Sequence, residues 1–173
     1  MHRFTRTKKF LTKNKVKDAK KILEIGCGIG RVSREIARIY KKSDIISIDF
    51  DKKQIIKARK NNKKYKNISF HHGNALSLKE KEGTFDLVIE FDAFHHIFDY
   101  EKAIKETNRV LKKGGLFILK DSALKVINPF PKKIKLQPAQ FSKKEFINRL
   151  KRNGFIVIKQ SGFFRFSVVA KKR

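Results

Sequence analysis

Residues 22–30 read ILEIGCGIG, an aliphatic run that ends in three glycines spaced two apart. A buried parallel strand that feeds a tight turn and then a helix looks like this. Such a turn holds a ligand, and the question is whether that ligand carries phosphates. A dinucleotide turn sets its third glycine after two intervening residues, G-x-G-x-x-G, so that helix and strand close around a pyrophosphate. Arg31 occupies that position here, and the glycines fall at Gly26, Gly28 and Gly30. Glu24, two residues before the first glycine, would repel an anion. It suits a ligand with an amino-acid end, whose ammonium it neutralises while backbone N–H groups receive the carboxylate.

Outward from this turn, strand-like and helical patterns alternate with short connections, which predicts an α/β domain around a mostly parallel sheet. Strands are expected at 22–25, 44–50, 67–73, 85–91 and 116–121, with helices after the first two. A further helix is expected to start near Asp99 and to stop at Gly114 and Gly115. All three prolines, Pro129, Pro131 and Pro138, fall in 122–140, which reads as a loop or short insertion. A helix follows with Ser142 as N-cap, Glu145 in the capping-box position and Gly154 past its end. Two strands joined across Ser161, Gly162 and Phe163 close the chain as an antiparallel hairpin at the sheet edge.

A chain of 173 residues is one domain's length. The organisation expected is a basic N-terminal segment, 1–21, and a single domain, 22–173. Cys27 is the sole cysteine, which excludes an intramolecular disulfide and a cysteine-rich zinc site. No metal site is expected. No signal-like or membrane-spanning apolar run occurs, so a cytoplasmic location is expected.

The net charge is +28, distributed as +8 over 1–21, +7 over 22–119 and +13 over 120–173. A field of one sign attracts polyanions, RNA above all. Lysines outnumber arginines 33 to 11 and Glu numbers only eight, so codon composition in an A/T-rich genome is the alternative source of the charge. Phe130, Phe141, Phe163 and Phe164 have the chemistry to stack on bases, but they are read as core.

Blocks in order resemble class I S-adenosylmethionine-dependent methyltransferases, most nearly the broad type 11 branch. They are LEIGCGIG at 23–30, ISIDFD at 46–51, GNALSL at 73–78, FDLVIEFDAFHHI at 85–97 and NRVLKKGGLFIL at 108–119, with Lys113 where that family usually has proline. The resemblance implies a Rossmann-like fold with a mostly parallel seven-stranded sheet and an antiparallel C-terminal hairpin. It also implies S-adenosylmethionine as cofactor, S-adenosylhomocysteine as its product, and a set of cofactor-binding residues. Gly26, Cys27, Gly28 and Gly30 would form the turn under the methionine part, with Glu24 beside it. Asp49 would take the ribose hydroxyls with Phe50 following, and Asn74 and Ala75 would meet the adenine. Glu90 would face cofactor or substrate.

His95, His96 and Asp92 are the candidate bases, since an imidazole or carboxylate at the substrate turn can take a proton as the methyl group moves. The turn after the fourth strand lacks the Asn/Asp-Pro-Pro-aromatic block used on exocyclic base amines. A cysteine for attack on a pyrimidine ring is also missing there. The first strand begins near residue 22 without the helical extension that covers many small-molecule sites, so an open site is expected. A macromolecular acceptor, or a partner subunit or second copy acting as a cover, would suit it.

Two readings stay open from the sequence. One is an active methyltransferase on a small molecule, RNA or ribonucleoprotein. The other is a catalytically silent module that binds S-adenosylmethionine or nucleic acid on an inherited fold.

Overall fold

The computed structural model describes residues 2–14, 16–123 and 141–173. The three prolines and Phe130 lie outside these residues.

Seven strands form one sheet: β1 (Lys21–Ile25), β2 (Asp44–Asp49), β3 (Ile68–His72), β4 (Phe85–Phe91), β5 (Leu111–Ser122), β6 (Phe155–Gly162) and β7 (Arg165–Lys172). Their order is β3-β2-β1-β4-β5-β7-β6. The first five pair parallel, and β7 inserts antiparallel between β5 and β6. Successive strands run outward from β1 to β3, after which the chain returns to place β4 on the other side of β1. The crevice outside the carboxyl ends of β1 and β4 is the topological switch point, where open α/β sheets bind ligands.

Helices cover both faces: α1 (His2–Lys13), α2 (Arg31–Ile39), α3 (Lys52–Asn61), α4 (Tyr100–Val110) and α5 (Lys143–Arg152). Central strands are therefore apolar on both sides, and residues 87–89 of β4 are all inaccessible. Leu87 and Ile89 pack with Ile22, Ile36 and Ile118 on one face. Val88 packs on the other with Leu23, Leu119 and a cluster of phenylalanines that includes Phe94, Phe117, Phe146 and Phe166. Side-chain caps set the helix starts: Asp51 accepts from Lys53 N–H, and Asp99 from Lys102 N–H. The expected capping box of Ser142 and Glu145 forms at α5, and Gly154 follows that helix with φ +82°.

The structure corrects two expectations, the end of α4 and the burial of Phe163 and Phe164. α4 stops at Val110, short of the glycines, because buried Leu111 already pairs with Phe85 as the first residue of β5. Gly114 and Gly115 lie inside that strand next to a register shift. The N-terminal segment carries a helix, and Leu11 and Ala19 are buried in the same cluster as Ile22, so the segment packs on the domain. Of the four phenylalanines read as core, Phe141 is fully buried, but Phe163 and Phe164 form the exposed connection between β6 and β7.

Candidate active site

The glycine turn follows β1. Gly26 N–H and Cys27 N–H both donate to Ile48 O at 2.9 Å, which anchors the turn to β2. All three glycines adopt positive φ, at +74°, +53° and +78°, a region that costs other residues strain. Their surroundings differ. A Cβ on Gly26 would lie 2.2 Å from Ala93 Cβ, and one on Gly30 would lie 2.3 Å from Asn62 Nδ2. A Cβ on Gly28 would meet nothing within 4 Å. Gly26 and Gly30 are thus held by the protein, whereas Gly28 presents backbone to open space.

Glu24 sits beneath this turn, 2% exposed, where its Oε2 accepts from Ser33 Oγ at 2.5 Å and Ser47 Oγ at 2.7 Å. Burial pushes its carboxyl up to about 7, against the two hydroxyls, which pull it down. The structure thus joins β1, β2 and α2 through Glu24 below the ligand face. A carboxyl raised on folding makes the folded state bind more protons, so stability falls as pH rises from about 4.5 to about 7. Glu24→Gln keeps an acceptor for both serines and removes the charge. It is expected to match the parent near pH 4 and to exceed it by about 3 kcal/mol above pH 7, read by urea unfolding across that range.

Cys27 packs its side chain with Ile55, Ala58 and Phe70, and burial pushes its thiol up. It serves the turn through its backbone. Asp49 ends β2 and accepts from Gly28 N–H at 2.7 Å through Oδ2 and from Asp51 N–H at 2.9 Å through Oδ1. Each oxygen keeps a second lone pair for an incoming hydroxyl. Phe50 follows with 72% of its surface exposed, and its ring lies 6.1 Å from that of His72. After β3, Asn74 Oδ1 accepts from Leu76 N–H at 2.9 Å, and Ala75 is buried. A cleft of about 260 Å³ adjoins, with Ile48, Gly73, Asn74 and Leu78 among its walls.

Beyond β4 the chain turns at Asp92, whose backbone is left-handed at φ +58° and whose two carboxylate oxygens accept from Arg165 Nη2 at 2.7 and 2.8 Å. Glu90 is fully buried. Its Oε1 accepts from Ala93 N–H and from Phe94 N–H, while Oε2 has no hydrogen-bond partner. Burial, then the nearby Asp121 carboxylate, hold Glu90 well above the ordinary carboxyl range.

His95 and His96 belong to a single 3-10 turn, Phe94–His96. His95 Nδ1 donates to Asp121 Oδ1, and Asp121 Oδ2 accepts from His95 N–H at 3.0 Å. Asp121 is fully buried near the end of β5 and also accepts from Ser122 N–H at 2.6 Å. His96 is exposed, its ring centroid 3.9 Å from that of His95. Partial desolvation, then the neighbouring imidazole, hold it below the ordinary imidazole range.

Sequence reasoning missed Asp121 and Arg165. An acid near the end of a buried strand beside the switch point was the available signal for Asp121. Arg165 carried none, since only the hairpin register brings it opposite Ser122. Among the described residues, no group of three or more His, Cys, Asp or Glu could hold a metal ion, and no helix is long and apolar enough to cross a membrane.

A doubly wound sheet with an acid-capped glycine turn at its switch point defines an α/β class that binds a nucleoside-bearing cofactor outside the carboxyl ends of its strands. The profile of a family described as "Methyltransferase domain" matches residues 16–161. The chain belongs to that family, the class I S-adenosylmethionine-dependent methyltransferases. Norajmaline N-methyltransferase of Rauvolfia serpentina is 33% identical over 133 residues, covering 74% of this chain and 44% of that enzyme. Demethylmenaquinone methyltransferase of Staphylococcus saprophyticus is 28% identical over 112 residues, covering 64% and 48%. The chain thus spans less than half the length of these curated relatives. A Haloferax volcanii chain solved in complex with the Trm112 methyltransferase activator superposes with a TM-score of 0.84 at 17% identity, covering 98% of this chain and 90% of that one. That likeness concerns the fold.

The family implies S-adenosylmethionine, and the residues present fit it. Gly28, where an added Cβ would meet nothing within 4 Å, leaves room for the methionine part. Asp49 keeps acceptor capacity that would suit ribose hydroxyls, and Phe50 beside it is exposed. The unpartnered Oε2 of Glu90 is a buried polar atom of the kind that a bound group satisfies.

Proposed function

We propose that the chain is an active methyltransferase that alkylates an oxygen or nitrogen of its acceptor, with His95 taking the proton that this atom loses. The His95–Asp121 pair carries this reading. A buried carboxylate that accepts from Nδ1–H fixes the tautomer in which Nε2 holds a lone pair, and it steadies the ring when Nε2 takes up a proton. Asp92 is the weaker rival, because Arg165 engages both its oxygens. His96 lies on the exposed side of the turn without a carboxylate to orient it through Nδ1 among the described contacts.

S-adenosylmethionine, when bound, supplies an electrophilic methyl group on a sulfonium that leaves readily. The protein's own work is then positioning. The glycine turn makes room for the methionine part at Gly28, Asp49 holds the ribose, and Glu90 braces the substrate turn through Ala93 and Phe94. His95 Nε2 accepts the acceptor's proton as the new bond to carbon forms, and Asp121 keeps the imidazole aligned. A silent module would have no use for an oriented histidine beside the cofactor crevice. A second copy or a partner chain covering the site belongs to the same proposal, as does a cytoplasmic location.

Two measurements test this. Calorimetry with S-adenosylhomocysteine reads the cofactor site, and Asp49→Ala is expected to weaken binding by about 10- to 100-fold through loss of a charged acceptor. Transfer of tritium from methyl-labelled S-adenosylmethionine into fractionated cell extract reads catalysis. Binding without transfer into any fraction would support the silent module instead.

A further inference from the structure

A groove of about 640 Å³ lies between α5 and the tip of the β6–β7 hairpin. We propose that this groove is a docking surface for single-stranded RNA, which it leads to the candidate acceptor site; only the second half of that statement rests on the methyltransferase reading.

Three observations meet here. Phe163 and Phe164 line the groove at 71% and 47% exposure, with ring centroids 4.9 Å apart at 88°. Large aromatic faces left in water at a hairpin tip suit unstacked bases, every one of which has a face to stack. Charge is the second observation. Lys143, Lys144 and Lys151 line the same groove and no acidic residue does, among the described residues. Lys144 and Lys151 are seven residues apart on α5, about 10 Å along one helix face, so two cations face the groove from the same side of the helix. The field behind them has the same sign, with +13 over 120–173. Neutral polar side chains are the third. Ser142, whose Oγ also caps α5, lines the groove with Asn148 and Gln160, and such donors and acceptors are able to meet the 2′-hydroxyls that distinguish RNA from DNA.

The groove is linked to the site through the end of β5 and the hairpin. Ala123 lines it and donates its N–H to Phe164 O at 2.7 Å. Two residues back on the same segment, about 7 Å away in extended chain, Asp121 holds His95. The next hairpin residue after Phe164 is Arg165, whose guanidinium reaches Asp92 at the substrate turn. A strand stacked on the two phenylalanines therefore runs toward the candidate base.

The test is fluorescence anisotropy with a labelled uridine dodecamer, its deoxyuridine counterpart and a blunt RNA duplex, over a range of salt. The parent chain is expected to prefer the single-stranded RNA. Phe163→Ala with Phe164→Ala should weaken it roughly tenfold with an unchanged salt slope, because stacking releases no counterions. Lys144→Glu with Lys151→Glu should weaken it and lower the slope by about 0.7 for each phosphate that is no longer neutralised. Calorimetry with S-adenosylhomocysteine on the same variants should be unchanged, which separates loss of this surface from loss of the fold or cofactor site. Equal binding of the aromatic variant and the parent would overturn the proposal and leave only a general field. Equal affinity for deoxyuridine or duplex would overturn the assignment to single-stranded RNA. Lysine-dependent binding to phosphatidylserine vesicles with none to the dodecamer would make the groove a membrane contact instead.

Discussion

Gly26→Ala is expected to abolish cofactor binding and to destabilise the protein by about 3 kcal/mol, the sum of left-handed strain and forced overlap in a packed interior. The overlap is specific. The new methyl would lie 2.2 Å from Ala93 Cβ, and Ala93 cannot retreat freely because its N–H is bonded to the buried carboxylate of Glu90. Displacing it moves the 3-10 turn that carries His95. One methyl group on the glycine turn therefore disturbs the candidate base as well. Gly28→Ala is the contrast. Its φ of +53° also strains an alanine, but its Cβ meets nothing within 4 Å, so about 1–2 kcal/mol of strain is all the folded protein should lose. The methyl instead enters the space assigned to the ligand. Urea unfolding and calorimetry with S-adenosylhomocysteine should thus separate the two: Gly26→Ala loses both stability and binding, Gly28→Ala mainly binding. If Gly28→Ala binds like the parent, the ligand does not lie against that face of the turn.

Local signals made much of this legible in the sequence. The strand, the glycine spacing and the absence of a sixth-position glycine at Arg31 set the turn apart from a pyrophosphate cradle. Asp51, Asp99 and Ser142 cap helices through hydrogen bonds that reach no more than three residues along the chain, which is why those helix starts read correctly. Features that depend on partners distant in the chain did not show. The end of α4 is decided by Phe85 pairing with Leu111, against a local pattern that would continue the helix to its glycines. α1 lies among so many cations that one buried leucine gives little sign of its packing. Phe163 and Phe164 read as core by type, yet the turn between two antiparallel strands puts them in water. Asp121 is the most consequential omission. In sequence it looks like a polar end to an apolar strand, and only the fold brings it beneath a histidine 26 residues earlier.

That pairing sets the second large effect. His95→Ala is expected to lower kcat/KM by 10²- to 10⁴-fold, the range for a lost general base, with affinity for S-adenosylhomocysteine held near the parent's. Imidazole added to the buffer should restore part of the activity, because the missing group is then a base and the space for it remains. Asp121→Asn should produce a loss of similar order without rescue. Asp121 accepts three N–H groups, from His95 Nδ1, His95 N and Ser122 N, and an amide that turns its nitrogen toward any of them sets donor against donor. The ring then loses its fixed tautomer while His95 itself is still present, so soluble imidazole has no space to fill. A purely structural role for Asp121 predicts something else: reduced stability with kcat preserved in the fraction that remains folded. The outcome also bears on the acceptor. Retained activity in both variants would remove His95 from the chemistry, leaving Asp92 as the base or an acceptor atom that carries no proton, such as a thioether or tertiary amine, which needs none.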